Sequence, residues 1–167
     1  RNLIDGADSS IQIRTAKVVL ARVLNDTGHR DEAKALVDSV LAEDPSEVDA
    51  LKLRAAWLIA ADQADDAIGL LRTALDQRPR DPEALTLMSD AHVRSGNSEL
   101  ARDFLSLAAE ASNWAPAESL RFSQNLIADG RYLAAEETLI RSLRFQPDNI
   151  DLLAQLGRTY VAMRDWP

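Results

Sequence analysis

Few side chains in this sequence are suited to catalysis. The two histidines, His29 and His92, lie far apart, and there is no cysteine. That removes thiol nucleophiles, disulfides, Cys-ligated zinc and imidazole-rich metal sites. His29-Arg30-Asp31-Glu32 has the residue types of a metal or acid–base cluster. With no second histidine nearby, the expected role is a helix start, where acids favour the positive end of the macrodipole. His92 falls in a helix-packing column, so a buried imidazole is expected rather than a ligand. The run Asp62-Gln63-Ala64-Asp65-Asp66 reads as another solvated helix start. Composition leaves carboxylate-based Mg chemistry open. However, no P-loop, G-x-G-x-x-G, G-x-S-x-G or H-E-x-x-H occurs in the chain, so no enzyme active site, cofactor or metal is expected.

The elements that must position these residues are bounded by composition. The chain has 167 residues, 46% of them hydrophobic, which suits one domain with a real core and excludes a disordered chain. Its longest apolar run, residues 55–61, falls well short of the roughly 18 residues a membrane span needs. A net charge of -8 argues against a nonspecific binder of nucleic acid or anionic membrane, both held largely by positive charge. The sequence opens on Arg1 without a Met and stops at Asp165-Trp166-Pro167, which reads as a piece of a longer protein. The compartment stays open between cytosol and periplasm.

Internal spacing carries most of the information. Ala33, Ala67, Ala101 and Ala135 stand 34 residues apart. The same step joins Gly28, Asp62, Gly96 and Gly130, then Val37, Leu71, Leu105 and Leu139, then Pro45, Pro79, Asn113 and Pro147. Columns that share one period and one phase define a repeat. Each period reads as two helices. The first breaks at a residue such as Gly28, where a left-handed conformation closes the helix without Cβ strain. The second carries an apolar stripe such as Ala33, Leu36, Val37 and Val40 and ends at Asp44-Pro45. Ser46-Glu47-Val48-Asp49 reads as a capping box, and Asp81-Pro82 as an Asp N-cap with Pro in the first turn. Asp62 is tolerable in the glycine column because Asp visits the left-handed region more readily than most residues.

On these columns, and on Leu153-Ala154-Gln155-Leu156-Gly157-Arg158-Thr159-Tyr160, the chain resembles the tetratricopeptide repeat family. The resemblance implies an all-α, right-handed α-solenoid of antiparallel helix pairs. Its units would be 14–47, 48–81, 82–115 and 116–149, with 1–13 the tail of a preceding helix B and 150–167 helix A of a fifth repeat. Leu3 and Ile4 would form the apolar face of that tail. The small residues Ala21, Ala55, Ser89, Ser123 and Gly157 form a further column, and residues such as Ala33 and Gly157 would let paired helices approach closely. Lys17, Arg54, His92 and Ser119 depart from the family pattern. Leu153, Leu156 and Tyr160 would be partly exposed and would invite self-association. Trp57, Trp114 and Trp166 are expected to pack within the array, with Trp57 and Trp114 also open as partner contacts.

The family implies a groove lined by A helices that binds a protein or peptide segment. Carried over position by position, its fifth, sixth and ninth places here include Arg22, Lys52, Thr86, Asp90, Arg121, Gln124, Gln155 and Arg158. Four bases against one acid make this stripe positive within an acidic chain, although solvated surface charge is the simpler reading. Asp49, Glu83 and Asp151 belong to helix starts. The family's chaperone-binding carboxylate clamp would fall on Val18, Arg22, Leu53, Glu83 and Leu87, whose types do not fit it. The expected function is a non-catalytic protein–protein interaction scaffold. The alternative is the substrate-recruiting region of a larger enzyme or of an envelope or secretion assembly factor. The alanine-, arginine- and aspartate-rich, lysine-poor composition points to a bacterial source. An RNA-binding helical repeat is disfavoured by the net acidity.

Overall fold

Helix starts recur along the chain with the spacing of the sequence columns. The structure, a computed structural model, describes residues 2–163, with side chains from residue 10 onward. All the regular elements among these residues are α-helices. They fall into two compact units divided in sequence at Pro79/Arg80.

The first unit holds α1 (Asn2–Asp26), α2 (Arg30–Glu43), α3 (Val48–Ala60) and α4 (Ala64–Gln77). Short connections fold α1 back on α2 and α3 back on α4, while α3 also packs on α2. Val18 and Ala21 of α1, Val37 and Val40 of α2, and Ala50 and Leu53 of α3 form one buried cluster. Trp57 packs against this cluster, and its indole N–H donates to Asn25 Oδ1 at 2.7 Å. α1 runs unbroken through the expected boundary at 13/14, where the sequence has neither glycine nor proline to stop it. The side chains of Leu3 and Ile4, like Trp166, lie outside the described residues.

The second unit holds α5 (Pro82–Arg94), α6 (Ser98–Ala111), α7 (Pro116–Ala128), α8 (Tyr132–Leu143) and α9 (Ile150–Met163). Here α5 pairs with α6, α7 with α8, and α9 packs on α7 and α8. Met88, Leu126, Leu139 and Leu152 are fully buried. His92 is buried as expected, its ring stacked on Phe104 with centroids 5.3 Å apart.

The alanine and glycine columns both take the structural roles expected of them. Ala33, Ala67, Ala101 and Ala135 are each fully buried. Gly28, Asp62, Gly96 and Gly130 all have left-handed φ, between 62° and 88°. The next residue in each case, at 29, 63, 97 and 131, donates its N–H to the carbonyl five residues back at 2.8–2.9 Å. This bond occupies a helix-terminal carbonyl that would otherwise be left without a partner.

Two local expectations need correction. Ser46 does not cap α3. Its hydroxyl donates to Asp44 Oδ1 at 2.8 Å, and the cap is Glu47, whose carboxylate accepts from the Ala50 N–H at 2.6 Å. The two Ser46 hydrogen bonds, with Arg14 beside them, hold the Asp44 carboxyl below the usual carboxylate range. Second, Gly157 does not mediate a close approach, since nothing lies within 4 Å of where its Cβ would sit. No helix follows α9 among the described residues to approach it. The residues that depart from the family's apolar pattern find different solutions. Lys17 reaches Glu43 at 2.6 Å and Arg54 reaches Asp38 at 3.0 Å. Ser119 is fully buried, its hydroxyl without a hydrogen-bond partner among the described residues.

Candidate functional site

In the first unit, a cleft of about 340 Å³ opens between α1 and the start of α3. Its α1 wall comprises Thr15, Val18, Val19, Arg22, Val23 and Asp26, and Glu47 and Asp49 close it from α3. Val19 and Val23 are 59% and 53% exposed. They lie one helical turn apart, so they form a continuous apolar strip beside the exposed Arg22. Choosing polar types at groove positions captured Arg22 and passed over both valines. For Val19 the signal was available in position alone, because it is the sixth residue of its repeat; Val23, one turn later, had none.

Lys52 belongs elsewhere. It is buried, with its ammonium 2.8 Å from Asp49 Oδ1, while Arg78 holds Asp49 Oδ2 at 3.1 Å. Burial pushes the Asp49 carboxyl up, but hydrogen bonds and charge from Lys52 and Arg78 outweigh it and leave the group below its ordinary value. This lysine neutralises a helix-start acid inside the unit, so its charge is not presented to a partner.

In the second unit the A helices bring Thr86 and Asp90 of α5, Arg121 and Gln124 of α7, and Gln155 and Arg158 of α9 into the described structure. Arg121 Nη2 donates to Asp90 Oδ1 and ties α5 to α7. Burial raises the Asp90 carboxyl above its ordinary value, partly countered by Arg121 and Arg94. Gln155 is buried and accepts from Arg158 Nη1 at 3.0 Å. Thr86 is half-buried, and Gln124 is exposed. The positive count read from the sequence is therefore partly cancelled within the protein, with Lys52 and Arg121 each held by a carboxylate. Arg22 and Arg158 keep exposed side chains.

His29 precedes α2 as its N-cap residue, with Asp31 and Glu32 in the first turn. Its Nδ1 lies 3.2 Å from the Thr27 hydroxyl. Among the described residues no group of three or more His, Asp or Glu side chains is gathered as a metal site would require. No helix among them is long and apolar enough to cross a membrane.

Comparisons with known proteins agree with this architecture. A family model described as tetratricopeptide repeat matches residues 58–121. The mouse interferon-induced protein with tetratricopeptide repeats 2 is 37% identical over 81 residues, which are 46% of this chain and 17% of that protein. The chain thus spans under a fifth of the length of this curated relative. Among solved structures, MamA protein superposes with a TM-score of 0.69 at 18% identity, covering 90% of this chain and 82% of MamA. PilW, titled a widely conserved type IV pilus biogenesis factor, superposes with a TM-score of 0.75 at 16% identity, covering 96% and 75%. At such identities the structural likeness concerns the fold. Helix spans, left-handed turns and sequence columns coincide with it: residues 58–121 match the tetratricopeptide repeat family, and the same 34-residue pattern continues on either side of them. Its fold class is the all-α helical-repeat solenoid.

Proposed function

We propose that this chain is a non-catalytic interaction scaffold and that its A-helix faces hold an extended or helical segment of another protein. The family's fold is one used for protein–protein interaction, which supports the general reading. The observation that carries the finer one is the cleft between α1 and α3. There Val19 and Val23 are exposed in a continuous strip beside Arg22, on the α1 face that the family relation assigns to ligand. Apolar contact along such a strip supplies affinity, and charges such as Arg22, Arg121 and Arg158 set selectivity and on-rate. Lys52 is left out of this set because it is buried on Asp49.

The test places a photo-crosslinking side chain at Val19 and compares capture with that of Arg22→Glu and Arg121→Glu/Arg158→Glu chains. A specific protein adduct at Val19 is expected, weakened by the charge reversals while helicity is unchanged. Adducts that form equally well from an exposed control position on α4 would reject the α1–α3 surface. The same reading includes self-association through α9, where Leu153 and Val161 are exposed. Sedimentation at rising concentration tests it, and a monomer throughout would exclude it.

A further inference from the structure

The second unit contains another cleft, of about 320 Å³, lined by α6, α7, α8 and the α6–α7 connection. Leu126 and Thr138 are buried at its floor, and Trp114 and Phe122 form its aromatic wall. Arg102, Arg131 and Arg141 line it from α6 and from the start and end of α8, together with the acids Asp103 and Glu137. Residues of the A-helix stripe are not among its lining.

The main chain that delivers Trp114 is unlike the other junctions between repeats. Where those have Pro45, Pro79 and Pro147, this one has Asn113 at φ 58° followed by Trp114 at φ 60°. Asn tolerates the left-handed region, but a bulky aromatic residue there is an outlier, and such outliers concentrate at functional positions. The Trp114 N–H donates to the Ala109 carbonyl at 2.7 Å, and the buried Ser142 hydroxyl donates to the Trp114 carbonyl at 2.7 Å. Arg141 lies over the indole, 4.4 Å from the ring centroid. The main chain of Trp114 is thus held by hydrogen bonds at both its N–H and its carbonyl, and its ring carries a guanidinium on one face.

The cations in this cleft are only loosely balanced. Arg141 pairs with Glu137 at 2.8 Å, but that carboxylate side chain is 71% exposed. Arg102 is held by Asp129 at 2.9 Å. Arg131 is exposed and has no ion pair among the described residues. An exposed i,i+4 pair such as Glu137–Arg141 contributes little, so an incoming carboxylate can replace Glu137 at small cost.

We propose that this cleft docks an acidic segment of a partner protein, with an apolar side chain against Trp114 and Phe122 and Asp or Glu carboxylates of the same segment held by Arg131 and by Arg141, at opposite ends of α8. The guanidinium fork suits a carboxylate, which it can bind through two parallel hydrogen bonds. The volume lies at the lower end of ligand pockets, which fits one or two side chains rather than a whole folded element. A protein segment is favoured over single-stranded RNA on two counts. RNA needs positive charge along its whole backbone, which a chain of net charge -8 does not offer, whereas one or two carboxylates need only the local arginines; and the one indole in this cleft already has a face covered by Arg141.

The experiment follows the Trp114 indole N–H resonance in the full chain, assigned by its loss in Trp114→Phe. The probes are short synthetic peptides that place Leu, Met or Phe beside Glu-Glu, each matched by a Gln-Gln counterpart. Acidic members should shift the resonance saturably and bind about ten-fold more tightly than their Gln partners. Arg131→Gln, at an exposed position, should lose about ten-fold in affinity with its circular dichroism unchanged, and Arg72→Gln on α4 should lose none. The proposal is overturned if no acidic peptide shifts the resonance, if Gln peptides bind equally, or if Arg131→Gln binds as the parent does. It is also overturned if single-stranded oligouridylate shifts the resonance more strongly than the acidic peptides.

Discussion

Gly69 and Gly96 both have nothing within 4 Å of the point where a Cβ would sit, yet only Gly96 has a left-handed φ, at 77°. Alanine should therefore act oppositely at the two sites. Gly69→Ala, inside α4, should stabilise by about 0.5–1 kcal/mol by raising helix propensity. Gly96→Ala should cost about 1–2 kcal/mol from the backbone alone. Urea unfolding of the two variants is the check, and equal shifts would contradict the assigned turn geometry. Two carboxylates make a second contrast. Asp44 is held below its ordinary value by the Ser46 hydrogen bonds. It therefore contributes stability at neutral pH that disappears as pH falls from the ordinary carboxylate range through the lowered value. Asp90 is raised by burial, so its linkage runs the other way, and the chain gains stability from it as pH falls through the raised value. Asp44→Asn should destabilise at pH 7 and be neutral at strongly acid pH. Asp90→Asn should lose the stability gain that the parent shows on mild acidification. Midpoints measured across this pH range decide both.

At the scale of the element, the decisive contact is between the two helices of one repeat. Ala101 on α6 is fully buried, and α5 packs on α6. Ala101→Leu should cost about 1–3 kcal/mol through overpacking, read as a lowered unfolding midpoint. An unchanged midpoint would show that the alanine column is not a helix–helix contact. Helix spans, left-handed turns and this column were legible in the sequence because each recurs, so that one ambiguous residue is corrected by its equivalents a period away. The site was less legible because groove residues are not constrained to repeat. Lys52 was placed in the stripe by its position number, whereas Asp49 one turn earlier draws its ammonium inward. Val19 and Val23 were passed over because exposed aliphatics look like core in a linear sequence. The cap was placed one residue early, on Ser46, because either side chain can accept an N–H of the first turn, and the Asp44 carboxylate decides by taking the serine hydroxyl. The strained pair Asn113-Trp114 had only a weak signal, the loss of proline from its column.

At the scale of the whole chain, each helix contacts only its near neighbours in sequence. Stability in such arrays is close to a sum over repeats and the interfaces between adjacent ones. A lesion in the first unit should therefore be felt most by a probe in that unit. Ala33→Leu, in the same buried cluster that Trp57 packs against, should lower the urea midpoint reported by Trp57 more than that reported by Trp114. Chains carrying only one of these tryptophans provide the two readings. Coincident midpoints would instead mark the chain as a single cooperative block.

The helices α2, α4, α6 and α8 begin at residues 30, 64, 98 and 132, and α3, α5, α7 and α9 at 48, 82, 116 and 150, so both series advance by 34. This regularity has a consequence for how a gene for such a chain can change length. Removing residues 116–149 would leave α6 followed by the start of α9, a junction of the same kind as the one lost. Loss of one codon inside α7 would instead rotate every later residue of that helix by about 100° relative to its neighbours. Duplications and deletions of whole periods are therefore the mild lesions, and single-codon changes inside helices are the severe ones.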